Sequence, residues 1–112
     1  MSAVRLRATL KVKPGKLDGY RDVVRQVDEL TRNESGNLYW DCYYEESTEL
    51  AVFMEAYEDS AALLAHYANV AHLFPLYDEV SDMQGPLEVY GELSEEADQA
   101  IKASSPRIFG AL

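Results

Sequence analysis

Hydrophobic and polar residues alternate strictly near the start of the chain. In "VRLRATLKV", residues 4–12, Val4, Leu6, Ala8, Leu10 and Val12 fall on one face, and Arg5, Arg7, Thr9 and Lys11 on the other. That is the period of a β-strand, and "KPG" ends it. Over 16–33 the apolar positions become Leu17, Tyr20, Val23, Val24, Val27 and Leu30, the spacing of an amphipathic helix. Pro14 suits the first turn of that helix, and Gly36 the place where the chain leaves it.

"NLYWDCYYE", 37–45, is dense in β-formers and reads as a second strand, and "LAVFMEAYE", 50–58, as a third. The short "ESTE" link between them holds no helix, so the pair forms a hairpin. A second helix starts at about residue 60, with Asp59 or Ser60 as its cap, and runs through Leu63, Leu64, Tyr67, Val70 and Leu73. Pro75 interrupts it, and a short helix is predicted over 75–82. "GP" stops that helix, and "LEVYGEL", 87–93, is a fourth strand. Ser94, the acids after it and Lys102 predict a further short helix, followed by a tail carrying Ile108, Phe109 and Leu112.

The order β-α-β-β-α-β predicts an α+β, ferredoxin-like fold: an antiparallel sheet with its helices on one face. The core of this arrangement is 4–93, and 94–112 is a C-terminal helix and tail within a single domain, 1–112. The uncovered face of such a sheet should be polar, yet neither face is. The third strand sets Leu50, Val52, Met54 and Ala56 against Ala51, Phe53, Glu55 and Tyr57, and periodicity does not say which set meets the helices. An apolar face of that size predicts a homodimer packed sheet to sheet, with the tail crossing to the partner and Phe53 or Tyr57 as candidates for the seam.

Composition narrows the partners. Twenty acids against 10 bases give a formal charge of −10, which argues against nucleic acid and anionic membrane surfaces. The single cysteine, Cys42, allows neither an intrachain disulfide nor a CxxC pair and reads as packing. No apolar run reaches a membrane span, and the alternating start is not a signal peptide, so a cytoplasmic protein is expected. A chain of 112 residues buries about two-thirds of its unfolded surface, enough for a modest two-layer core. Eight tyrosines must then line a core, an interface or a pocket.

Two segments carry a resemblance. "VFMEAYEDSAALLAH" is similar to the part of antibiotic biosynthesis monooxygenase domains that places a Glu on a strand, an aromatic two residues on, and a His on the helix that follows. "ESGNLYWDCYYE" resembles the Glu-x-Gly-hydrophobic opening of that family's second strand. The resemblance spans 4–93 and implies a dimeric α+β barrel. It also implies cofactor-free oxygenation of phenols, quinols or polyketide-like aromatics by dioxygen. Haem-degrading relatives use an Asn that the first strand lacks, and Trp40 lies on the second strand, so that activity is not implied. By position Glu55 and His66 match the family's strand glutamate and helix histidine, and Tyr57 its aromatic.

Cofactor-free oxygenation needs a base beside a dry apolar slot. His66 is the natural base, since an unperturbed imidazole titrates near ~6.5. Glu55 orients it or binds a substrate hydroxyl. Tyr39, Tyr43, Tyr57, Tyr67, Phe74 and Tyr90 are the candidate aromatic walls. The plainer alternative keeps His66 as a hydrogen-bonded core residue and Glu55 as its partner, or as one at a helix N-terminus. Trp40 belongs to the core or to the dimer seam. On that reading the protein is a non-catalytic dimeric module that binds a small ligand or supports assembly. His66 and His72 stand roughly 240° apart around an ideal helix. Asp78, Glu79 and Asp82 read as solvated surface. Neither a metal site nor a nucleotide motif is expected.

Overall fold

The computed structural model describes residues 3–112. β1, Val4–Val12, lies inside the sheet, and its alternation decides the orientation of everything beside it. β3, Leu50–Tyr57, pairs antiparallel to it with Leu6 opposite Glu55, Ala8 opposite Phe53 and Leu10 opposite Ala51. Opposed residues in a ladder share a face. Phe53, Glu55 and Tyr57 therefore join the apolar side of β1 and meet the helices. Leu50, Val52 and Met54 join Arg5, Arg7, Thr9 and Lys11 on the open side. This corrects the seam expected at Phe53 or Tyr57: both are core residues, 6% and 0% exposed.

β2, Asn37–Glu45, pairs with the other edge of β3, giving the hairpin expected. A register shift between Asn37 and Tyr39 pushes Leu38 out to solvent, 55% exposed, so it does not share the face of Trp40, Cys42 and Tyr44. β5, Glu88–Tyr90, pairs with β1 and is shorter than the 87–93 expected. The sheet order β2-β3-β1-β5 is that of the ferredoxin-like fold. Two short strands had no sequence signal. β4, Ser81–Met83, pairs with the end of β1. β6, Arg107–Phe109, adds to β5 in parallel, the one parallel pairing among the described residues. The tail thus closes onto its own chain where a crossing to a partner had been expected. Phe109 stacks on Tyr90 at 5.2 Å, and Arg7 pairs with Glu88 at 3.2 Å, on the open side of this corner.

α1, Leu17–Thr31, lays Tyr20, Val23 and Val27 on the sheet. Pro14 precedes this helix in a turn instead of starting it. α2, Ser60–Val70, is capped by Asp59, whose carboxylate accepts from the Ala62 N–H at 2.9 Å. A 3₁₀ turn over 71–73 leads into α3, Phe74–Val80, with Pro75 in its first turn, where a missing N–H costs little. α4, Glu95–Ile101, is capped by Ser94 as expected and packs Ala97 and Ile101 with Leu63, Val4 and Val89. No helix among the described residues is long and apolar enough to cross a membrane.

Gly36 has a different role from the one its position implied. It lies beyond the helix, and a Cβ there would stand 2.5 Å from the Ala62 Cβ, while its carbonyl accepts from the Glu58 N–H at 2.9 Å. Only glycine lets the α1–β2 loop come this close to α2. That approach brings the loop's Glu34 within reach of α2.

Candidate active site

Helical spacing in α2 places Leu63, His66 and Val70 on one stripe facing the sheet, and all three are buried. An imidazole in that stripe has to find polar partners or pay a desolvation penalty of several kcal/mol (roughly 2–7 for an unpaired polar group). His66 finds Glu34. Its Nδ1 lies 2.9 and 3.0 Å from the two carboxylate oxygens, with the His66 and Glu34 side chains only 4% and 9% exposed. Asn69, one turn further along α2, donates its amide to the same carboxylate at 2.8 Å and to the Leu30 carbonyl at 3.1 Å. A carboxylate only accepts, so Nδ1 carries a proton, and in the neutral ring Nε2 is left with its lone pair.

Glu55 stands on the other side of the ring. Its nearest oxygen is 3.7 Å from Nε2, too far for a hydrogen bond and close enough to address the same molecule. Two residues along the same face of β3, the Tyr57 hydroxyl donates to Glu55 at 2.5 Å. Burial pushes the Glu55 carboxyl above its ordinary value. The Tyr57 hydrogen bond and the His66 ring pull it back in part, and the Glu34 charge adds to the rise. Burial, then the charge of Glu55, raises the Tyr57 hydroxyl as well, so the phenol stays a donor.

His66 and Glu55 line a cavity of about 310 Å³ between the sheet and the helices. Its walls are aromatic. Trp40 and Phe53 lie 5.2 Å apart, Phe53 meets Tyr77 edge-on at 5.5 Å, and Tyr67 meets Phe74 edge-on at 5.5 Å. Leu10, Val70, Met83 and Leu87 fill the rest, and Asp78 and Ser104 supply further polar groups.

Of the walls expected from sequence, Tyr67 and Phe74 line this cavity. Tyr57 is fully buried and acts on Glu55. Tyr39, Tyr43 and Tyr90 do not: their strand partners are Ala56, Val52 and Arg5, which puts them on the open side of the sheet. Trp40, Phe53 and Tyr77 stand in their place. Cys42 is half-buried and its thiol is pushed up to about 11 by burial, in keeping with a packing role. His72 is exposed on the 3₁₀ turn, well apart in environment from buried His66. Glu34 was missed as a candidate. Its signal lay in the Glu-x-Gly stretch: the glycine permits the approach and the glutamate uses it.

Two carboxylates and an imidazole sunk beside an apolar cavity are costly to fold. Buried, mutually facing titratable groups, one of them a carboxyl raised by burial, cluster where proton transfer is carried out. The set reproduces the logic of a carboxylate that holds an imidazole in one tautomer so that its second nitrogen can act as a base.

A family model for the antibiotic biosynthesis monooxygenases matches residues 3–73. By structure, the chain is similar to MupZ from Pseudomonas fluorescens, with a TM-score of 0.87 at 19% identity, over 100% of this chain and 92% of that one. It is also similar to a conserved protein from Methanosarcina mazei Go1, with a TM-score of 0.72 at 27% identity, over 80% and 92% of the two chains. A protein solved as an antibiotic biosynthesis monooxygenase gives a TM-score of 0.69 at 26% identity, over 81% and 99%. No curated protein matches the chain in sequence.

Proposed function

This chain belongs to the antibiotic biosynthesis monooxygenase family, and from that premise we propose that it oxidises a small aromatic substrate with dioxygen, without a cofactor. The observation that carries this reading is the His66 ring, with Nδ1 tied to Glu34 at 2.9 Å and Nε2 on the side of Glu55 at the cavity. A quinol, phenol or polyketide-like ring gives a proton to Nε2. The electron-rich anion that results passes an electron to dioxygen, and the radical pair collapses to a C–O bond. Protonation by the Glu55 carboxyl yields a hydroperoxide, which loses water to leave a carbonyl. Overall O₂ removes two hydrogens, both from a CH₂ group in an anthrone-like keto form or one from the O–H and one from a ring C–H in a phenol or quinol, and leaves a new C=O and H₂O. The aromatic walls give the anion an apolar surround.

Volume and charge limit the substrate. About 310 Å³ lies at the small end of the roughly 300–1,000 Å³ range for ligand pockets, so the substrate is compact. The Glu34 carboxylate and a net charge of −10 disfavour anionic substrates. Oxygen consumption with a panel of hydroquinones and anthrones, beside heat-inactivated protein, tests the activity. Uptake above the inactivated control is the expected result. No uptake across the panel, with binding retained, leaves a non-catalytic ligand-binding or assembly module.

The same reading includes a homodimer through the open side of the sheet, where Tyr43 and Met54 are 60% and 42% exposed beside Val52. Met54→Asp is expected to convert a dimer to monomer at low micromolar concentration in analytical ultracentrifugation, because it places an unpaired charge in the seam. A mutant that stays dimeric puts the seam elsewhere, and a monomeric wild type ends the proposal.

A further inference from the structure

We propose that Asp78, at the mouth of the cavity, binds a protonated amine at the far end of the substrate, which makes the substrate class a compact phenol or quinol with a basic arm. This deepens the oxidative reading above and rests on it for the placement of the phenolic end at His66. Exposure orients the cavity. His66 and Phe53 are buried and form its floor, whereas Phe74, Asp78, Met83 and Ser104 line it and are exposed, so they border its mouth. A ring that enters with its hydroxyl toward His66 leaves its other end among these mouth residues.

The chain builds this mouth from three separate elements. α3 carries Phe74 and Asp78 one turn apart. β4 sets Met83 opposite Leu10, on the helix side of β1. The Arg107 N–H donates to the carbonyl of Leu87, itself a wall residue, at 2.8 Å, and so holds the segment after Ser104 against the cavity. Every mouth residue lies beyond the 3–73 stretch that carries the family pattern, whereas Glu34, Glu55 and His66 lie within it. The chemistry and the selection of substrate are thus placed on different parts of the chain. Charge decides what the far end carries. Neither Lys nor Arg lines the cavity among the described residues. Lys13 lies close, but its ammonium donates at 2.8 Å to the Asp78 backbone carbonyl and not to the carboxylate. An ammonium on the substrate gains a charge-assisted hydrogen bond there, which a neutral group does not. Phe74 brings an aromatic ring to the same mouth, and ring faces attract cations. The net charge of −10 draws cations toward the protein.

The test is a binding cycle read by quenching of Trp40, the single tryptophan and a wall of the cavity. The ligands are 4-(aminomethyl)phenol beside 4-ethylphenol, and 4-(2-aminoethyl)phenol beside 4-propylphenol; in each pair a methyl group replaces the ammonium. Comparing variant with wild type inside a pair cancels the ligands' own difference in hydrophobicity. Asp78→Asn keeps the shape of an exposed side chain, so its circular dichroism should match wild type. It is expected to weaken at least one amine by about fivefold, the upper scale of an exposed ion pair, and to leave the methyl-ended partner unchanged. Glu79→Gln removes the same charge from the neighbouring exposed residue, which does not line the cavity, and should alter neither ligand. Failure of both amines to quench Trp40 overturns the inference. So does an equal loss for both members of each pair, or an effect of Glu79→Gln as large as that of Asp78→Asn. The readout needs no turnover. Selective loss of amine binding without oxygen uptake on the quinol panel sinks the oxygenase reading alone, and oxygen uptake without that selective loss sinks this one alone.

Discussion

His66→Ala is expected to lower turnover by about 10²-fold or more, with the surviving protein still folded. The ring lines the cavity with its free lone pair set by a buried partner, and alanine removes it without adding bulk. The pH–rate profile should lose the limb owed to the base. Some stability goes as well. Glu34 loses the contact at 2.9 Å and keeps only Asn69, and the ring's packing on Tyr57, 5.1 Å between centroids, is lost. Leaving a buried partner short of a hydrogen bond costs roughly 1–3 kcal/mol, read as a lower melting temperature. The alternative of a purely structural histidine predicts that same thermal loss with wild-type turnover per folded molecule. Measuring both on one preparation decides between them, and unchanged turnover ends the catalytic assignment.

Glu34→Gln is expected to cost nearly as much activity, again about 10²-fold or more, for a subtler reason. Glutamine has the same shape, so the α1–β2 loop and its Gly36 contact should survive and the melting temperature should barely move. A carboxylate can only accept from Nδ1–H. An amide can turn its NH₂ toward Nδ1 and donate, which shifts the imidazole proton to Nε2 and leaves the cavity facing a donor in place of a base. The expected signature is a fall in kcat with KM little changed, together with ¹⁵N shifts of the ring that report the other tautomer. Wild-type kcat with the original tautomer would reduce Glu34 to a packing contact.

Much of the fold follows from sequence because the relevant interactions are local. The alternation of Val4 to Val12 is a property of one strand. The apolar spacing of Tyr20, Val23 and Val27 belongs to one helix, and the caps at Asp59 and Ser94 bind N–H groups three residues away. Short-range hydrogen bonding and side-chain period fix such features wherever the segment is placed. His66 and Glu55 were legible for a related reason: a polar group inside an apolar period is conspicuous from the pattern alone.

What remained needed partners distant in sequence. β3 is apolar on both faces, so its own alternation carries no direction; pairing with β1, whose polar side is unambiguous, turned Phe53, Glu55 and Tyr57 inward and sent Tyr39 and Tyr43 outward with the open side. β4 and β6 are three-residue strands that owe their conformation to the free backbone edges they meet, not to their own propensities. The Glu34–His66 contact joins residues 32 apart. It exists only because Gly36, with no Cβ, lets a loop close on α2. Sequence by itself thus determined the longer elements, the βαββαβ order and the two residues of unusual polarity. Tertiary packing decided which face became the cavity and which carboxylate holds the base, since both depend on distances that no local period encodes.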